Sequence, residues 1–280
     1  MSTAPRQGKG KTGGTATAAR KLARELRERL AHSVLPGEPA PTRDQLAEAA
    51  EFLLEAARQR SEGEAALLVR SAAGERRVTR IAIVNRDMPF LVDSIAATIA
   101  GQHLAIDLLL HPVLAVKRDA DGRLSDWGGQ DDLDATTESL IYLETGRVDA
   151  KERRVLEREL TLTLADVRVA VADWPKMRTL LAADADRLTD PEGAELLRWF
   201  EGGRRTLLGH VTYARDGKQT QRLGICRKSA RELVTAETCD RAFAWFKRNG
   251  SDAPLIVKAS HLSRVHRRVP LDLFVVPVGG

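Results

Sequence analysis

The sequence predicts an α+β protein: an antiparallel sheet with helices on one face, preceded by helices and followed by a partial second α/β module. Three observations lead there. "RRVTRIAIV" reads as a strand and hands over directly to "PFLVDSIAATIAGQ", a helix with Leu91, Ile95 and Ile99 on one side. "LAIDLLLHPVLAVKR" reads as one long strand or a strand bent at Pro112, and "ESLIYLET" as a further strand. Residues 149–172 then carry a long helical pattern. Strand, helix, strand, strand, helix is most of the ferredoxin-like split βαβ arrangement, the βαββαβ type.

The elements follow in order. Residues 1–17 are small and basic and cannot bury enough apolar surface to offset chain entropy, which predicts a disordered tail. Residues 18–74 read as a helical lead-in. In it, Leu22, Leu26 and Leu30 recur every four residues, "PGEPAP" breaks the chain, and Thr42 with Asp44 and Gln45 caps a second helix running to about Ser61. The sheet-forming domain spans 75–172, with "DADG" at 119–122 as its turn signal. Residues 173–203 form a helical connector of two short helices, Lys176 to about Arg187 and Pro191 to Gly202, the second capped by Asp190. Residues 204–280 hold a hairpin turned at Asp216-Gly217 and two strands, "LIVKAS" and "VPLDLFVVPV", which open a module without completing it.

Charge and composition narrow the function. The formal net charge is +5, yet residues 1–30 alone carry eight basic side chains against Glu25 and Glu28, so the remainder is close to neutral. With aromatics at 4%, a nucleic-acid partner has only the tail to recommend it and is not expected. No segment reaches the roughly 18 uninterrupted apolar residues of a membrane span. Cys226 and Cys239 fit a reduced cytoplasmic thiol pair.

Apparent chemical motifs fail their context tests. Gly8, Gly10 and Gly13 satisfy GxGxxG, but no strand precedes them, and "GKT" at 10–12 has Pro5 where a P-loop needs its first glycine. His261 and His266 could join the two cysteines at a zinc ion only without any close CxxC pair. There is no GxSxG, and the acidic "GGQDDLDATTE" reads as a solvated loop. No catalytic, cofactor-binding or metal-binding residues are expected in this segment.

The stretch "NRDMPFLVDS" remains. Asp87 can cap the free amides of the following helix, Pro89 fits its first turn, and Asp93 lies near its positive end. With its neighbours, "IVNRDMPFLVDSIAATIAGQHLAID", it resembles an ACT-type regulatory domain, in which an Asp-x-Pro turn leads into a helix followed by an apolar strand. Together with "HPVLAVKRDADGRL", "ESLIYLE", "DVRVAVADWPKMR", "LLRWFEGGRRTLLGHVTYA" and "LIVKASHLSRVHRRVPLD", it is similar to the N-terminal region of the large bacterial NAD-dependent glutamate dehydrogenases over about residues 45–275.

The resemblance implies a ferredoxin-like ACT domain at 75–172. It also implies an enzyme that oxidises L-glutamate to 2-oxoglutarate and ammonia with NAD, whose catalytic and Rossmann parts lie far downstream. This chain would then be a non-catalytic regulatory or assembly segment, without a cofactor of its own. Its partners would be the remainder of the polypeptide, further copies in a homo-oligomer, and an amino-acid effector. An effector would meet the loop Asn85, Arg86, Asp87 and Met88, supported by Asp93 and Ser94 from the helix. In many amino-acid-binding ACT domains a glycine after the turn proline lets the backbone approach a ligand; that position here is Phe90. A freestanding ACT-like small-molecule sensor or interaction module is the alternative.

Overall fold

The computed structural model describes residues 12–34, 37, 39–72, 77–129, 131–214, 216, 218–219, 222–250 and 253–278. Most of the expected disordered tail, residues 1–11, lies outside them, as does Gly217 of the expected hairpin turn. The chain divides into two units, residues 1–87 with 105–153 and residues 88–104 with 154–280.

The first unit begins with α1 (Thr12–Ala31), which starts six residues earlier than the leucine period predicts, and α2 (Arg43–Ala57). A capping box opens α2: Thr42 Oγ1 accepts from Gln45 N, and Gln45 Oε1 accepts from Thr42 N. Six strands follow: β1 (Ala66–Ser71), β2 (Val78–Arg86), β3 (Ile106–Leu110), β4 (Val113–Arg118), β5 (Leu124–Trp127) and β6 (Thr136–Gly146). They form one sheet in the order β1-β2-β6-β4-β5, and β3 pairs with the second half of β6. All pairings are antiparallel. β3 and β4 lie along the same side of β6, so the long apolar run is one strand path broken at Pro112, whose ring removes a ladder donor.

β2 and β6 read as continuous apolar runs because both faces of the sheet are buried. Ala82, Val84, Leu140 and Tyr142 share a core with Leu26 and Leu30 of α1 and with Phe52 and Leu53 of α2. The alternate residues Ile81, Ile83, Ile141 and Leu143 are fully buried on the opposite face. Trp127 ties α1 to the sheet, its Nε1 donating to Leu22 O at 3.2 Å. The place beside β2, where a βαββαβ order would return a strand after the long helix, is held by β1, which comes before β2 in the chain. That strand falls within the stretch read as helical; "ALLVRS" holds a single β-branched residue, and its pairing with β2 from Ala66↔Val84 to Ser71↔Thr79 decides its conformation.

The second unit contains α3 (Leu91–Ala100) and most of α4 (Ala150–Arg187). It continues with α5 (Pro191–Trp199), a kinked segment at Phe200–Arg204 in which Gly203 is left-handed (φ 82°, ψ 15°), and the two-residue strands β7 (Gly209–His210) and β8 (Leu223–Gly224). It ends with α6 (Ala236–Asn249) and the antiparallel pair β9 (Leu255–Leu262) and β10 (Pro270–Val275). Instead of two helices separated near Trp174, α4 runs unbroken through Pro175. An interior proline costs about 3 kcal/mol. Buried Val167 and Ala170 before it, and Met177, Leu181 and Ala185 after it, give the helix packed faces on both sides that offset this. Asp190 caps α5 as expected, accepting from Gly193 N at 2.7 Å. The helix α6 escapes the apolar-period reading, although Thr235 caps it and Gly250 closes it in a left-handed conformation. Among the described residues no helix is long and apolar enough to cross a membrane.

Candidate functional site

The six residues singled out in the sequence fall into both units, and each group has its own surroundings. In the first unit, Asn85, Arg86 and Asp87 close β2. Asn85 is buried, lies opposite Ser139 in the ladder, and its Nδ2 donates to Arg86 O at 2.8 Å. Arg86 is exposed. Asp87 extends the pairing by one residue, its N donating to Thr137 O at 2.9 Å.

The Asp87 side chain does not cap the following helix. Its Oδ1 accepts from Ser139 Oγ at 2.6 Å, and Ser139 Oγ in turn meets His111 Nε2 at 3.0 Å. A hydroxyl has one proton to give. Ser139 gives it to the carboxylate, so His111 Nε2 is the donor toward the serine oxygen. Burial lowers the His111 pKa, and the Asp87 charge only partly restores it. A His, Ser and Asp in contact suggest acyl transfer at first sight, but this serine is fully buried and its proton is directed away from the histidine. The arrangement clamps the end of β2 to the start of β6; it does not make a nucleophile.

One residue before Ser139 stands the strongest electrostatic feature of this unit. Glu138 is fully buried between Arg60 and Arg118. Arg60 donates to Glu138 Oε1 from Nη2 at 2.6 Å and from Nε at 3.1 Å. Arg118 donates from Nε at 2.7 Å to Oε1 and from Nη2 at 2.7 Å to Oε2. Burial disfavours the carboxylate, and the hydrogen bonds from Arg118 and Arg60 together outweigh it, so the Glu138 pKa is held below its ordinary value. Arg118 Nη1 also reaches Ala57 O and Gly122 O, joining α2, the "DADG" turn and β6 at one point.

In the second unit, Met88 is half-buried and precedes Pro89 and Phe90. Phe90 occupies the N-cap position of α3 with φ 70°, ψ 1° and no side-chain cap. The left-handed Phe90 turns the chain before the helix, so Pro89 stands two residues ahead of it rather than in its first turn. Asp93 does sit in the first turn, as the helix dipole favours. Its Oδ2 lies 3.2 Å from His266 Nδ1. Buried Ser94 accepts from His266 N through Oγ at 2.8 Å, and the rings of Phe90 and His266 stand 5.4 Å apart. His266 is itself left-handed, with φ 64°. The turn at 263–268 thus covers the start of α3 on the side where Asp93 and Ser94 point.

Sequence reasoning missed His111, Ser139 and His266 as neighbours of the named residues. Ser139 and His111 are found only through strand register. His266 lies about 170 positions from its contacts, and no local pattern signals such a partner.

Residues 23–160 match the family described as "Glutamate dehydrogenase, ACT1 domain". An NAD-specific glutamate dehydrogenase from Halomonas elongata is 34% identical over 166 residues, 54% of this chain and 10% of that protein. One from Pseudomonas aeruginosa is 30% identical over 218 residues, 68% of this chain and 13% of that protein. The chain therefore spans about a tenth of the length of these relatives. The matched residues run from α1 to the first turns of α4 and include every strand of the six-stranded sheet, the Glu138 ion triad and all six residues of the expected loop. Over residues 23–160, just under half of its length, the chain is similar to the family of glutamate dehydrogenase ACT1 domains.

Proposed function

We propose that this chain is the N-terminal, non-catalytic region of a large NAD-dependent glutamate dehydrogenase, and that its ACT domain, in a ferredoxin-like layout, serves assembly or allosteric control of that cytoplasmic enzyme. The observation that carries the reading is the ACT1 match across the whole sheet, in a chain whose matched part makes up only 10–13% of its relatives. NAD and L-glutamate would be handled by the remainder of the polypeptide. A homo-oligomer and an amino-acid effector are its expected partners. The effector would meet Asn85, Arg86, Asp87 and Met88 with support from Asp93 and Ser94.

The geometry favours a rigid element over a reacting one: Asp87 is fixed through its amide and its carboxylate, and Asp93 and Ser94 are engaged by His266. The test compares three proteins: this 280-residue chain, the full enzyme, and the enzyme lacking residues 23–160. The chain alone gives no glutamate-dependent NAD reduction, and the full enzyme does. Removing 23–160 changes assembly or effector response more than turnover in a form that still assembles. Turnover by the chain alone, or a truncated enzyme identical to the full one in assembly and effector response, overturns the reading.

A further inference from the structure

The second unit contains a groove of about 270 Å³. It approaches the lower end of small-molecule sites in size and, like them, has mostly apolar walls. α4 supplies Ala170, Val171 and Trp174, the position before α3 supplies Phe90, and the chain after the kink at Gly203 supplies Arg205 and Leu207. Two features set it apart from an accidental crease. Trp174 keeps 39% of its surface exposed, although an indole of this size is normally covered. The second feature is the charge.

Two arginines stand near this groove, and they are used differently. Arg178 lies over the Trp174 ring, 4.9 Å from its centroid, and its Nε donates to Glu201 O at 2.8 Å. Its charge is met by the Glu201 carboxylate. Arg205 lines the groove in an extended backbone conformation, and among the described residues no carboxylate pairs with it. Thr206 adds a hydroxyl beside it, and no Asp or Glu is among the lining residues.

We propose that this groove binds a small carboxylic acid with an apolar tail of about four to six carbons, a size suited to a cavity at this end of the range. The carboxylate pairs with Arg205, and the tail lies against Phe90, Val171 and Trp174. The same lining discriminates against an amino acid. An α-ammonium one carbon from the carboxylate would be held beside the exposed Arg205 guanidinium with no acidic residue in the lining to meet it, a like-charge repulsion that the bare acid does not meet. The groove takes Pro89 and Phe90 from the chain before α3 but none of Asn85, Arg86, Asp87 or Met88, and it goes beyond the regulatory reading.

The test uses the 280-residue chain and four probes that share one tail: hexanoate, norleucine, hexylamine and hexan-1-ol. The readout is the indole N–H resonance of Trp174, identified with Trp174→Phe. Hexanoate shifts this resonance saturably, and norleucine and hexan-1-ol bind at least about tenfold more weakly, the scale of one charge-assisted contact. Hexylamine gives no saturable shift. Arg205→Gln weakens hexanoate by about tenfold and leaves hexan-1-ol unchanged, since only the charged contact is removed. Absence of a saturable shift at roughly 10 mM hexanoate, a weak limit for a ligand of this size, removes the site. Equal binding of norleucine, or of hexan-1-ol, overturns the ligand class. Hexanoate binding untouched by Arg205→Gln overturns the role of the arginine. None of these outcomes alters the ACT1 assignment, which concerns residues 23–160.

Discussion

Replacing Glu138 by glutamine removes one charge from a buried triad and leaves two guanidinium groups facing an amide. The Glu138 side chain is 0% exposed, and those of Arg60 and Arg118 are 6% and 11% exposed, so water cannot take over the lost pairing. All four of the hydrogen bonds described to Glu138 come from charged donors. Breaking a buried pair by changing one partner costs about 3–5 kcal/mol, because the remaining charge is stranded. Two like-charged arginines sharing the space put Glu138→Gln toward the upper part of that range. The exposed pair Arg70–Glu55 is the internal control: its side chains are 53% and 44% exposed, and Glu55→Gln should cost no more than about 1 kcal/mol.

Urea denaturation followed by far-UV circular dichroism and tryptophan fluorescence measures both variants, and pH adds an independent check. The Glu138 pKa is lowered in the folded chain relative to its ordinary 4.5. Its contribution is therefore complete above the unfolded value and is lost as pH falls through the folded value. The gap between the unmodified chain and Glu138→Gln should be constant near neutrality and should narrow below about pH 4.5 as the carboxylate takes up a proton in the unfolded state. A loss below about 1 kcal/mol, or a gap that stays constant into acid, would refute the assignment of Glu138 as a buried anion held by both arginines.

Three further outcomes follow from other contacts. Asp87→Ala and Ser139→Ala should each cost about 1 kcal/mol and together cost less than their sum, because both remove the same hydrogen bond; strictly additive losses in urea melts would return Asp87 to the role of a helix cap. Gly122→Ala should cost more than about 2 kcal/mol, since Gly122 has φ 78° and an added Cβ would stand 2.3 Å from Arg60 O; a thermal midpoint within error of the unmodified chain would mean that the turn is not built as described. Asp166 has its pKa raised by burial, so its favourable contribution is lost as pH rises through that folded value. Asp166→Asn should therefore hold or raise stability at neutral pH, and a marked loss there would show that the ionised carboxylate is needed.

Periodicity carried the parts of the fold in which one chain segment decides its own structure. The leucines of α1, the capping box of α2, the β2-to-α3 handover and the bend at Pro112 were all legible because their signals are local. β1 and β5 were not: "ALLVRS" and "LSDW" have weak intrinsic preference and become strands through pairing with β2 and β4. α4 misled for the opposite reason, as a strong local rule about proline was overridden by apolar contacts on both sides of Pro175. The candidate loop was legible as a place. Its chemistry was not, because Ser139, His111 and His266 reach it through register and tertiary packing.

Phe90 shows how far the resemblance can be pressed. The left-handed region is where a glycine costs nothing, and a residue with a side chain holds it at a cost of about 1–3 kcal/mol. Phe90 stands at the position of the glycine expected in an amino-acid-binding ACT turn and is left-handed, with φ 70°, yet it carries a ring. A second left-handed residue, His266, sets its ring at a tilt beside that ring and donates its backbone N–H to Ser94, so two strained residues support each other at one point. Strain of this kind persists only where the surroundings over-determine it. At position 90 a ring stands where a glycine would leave the main chain open, which leaves residues 85–88 as the part of the loop that the proposed effector would meet. The same Phe90 also lines the groove beside Trp174 and Arg205, and there its ring is an asset for holding an apolar tail. With phenylalanine in place of glycine at this position, the chain before α3 offers the proposed groove a side chain where a glycine would offer only main chain.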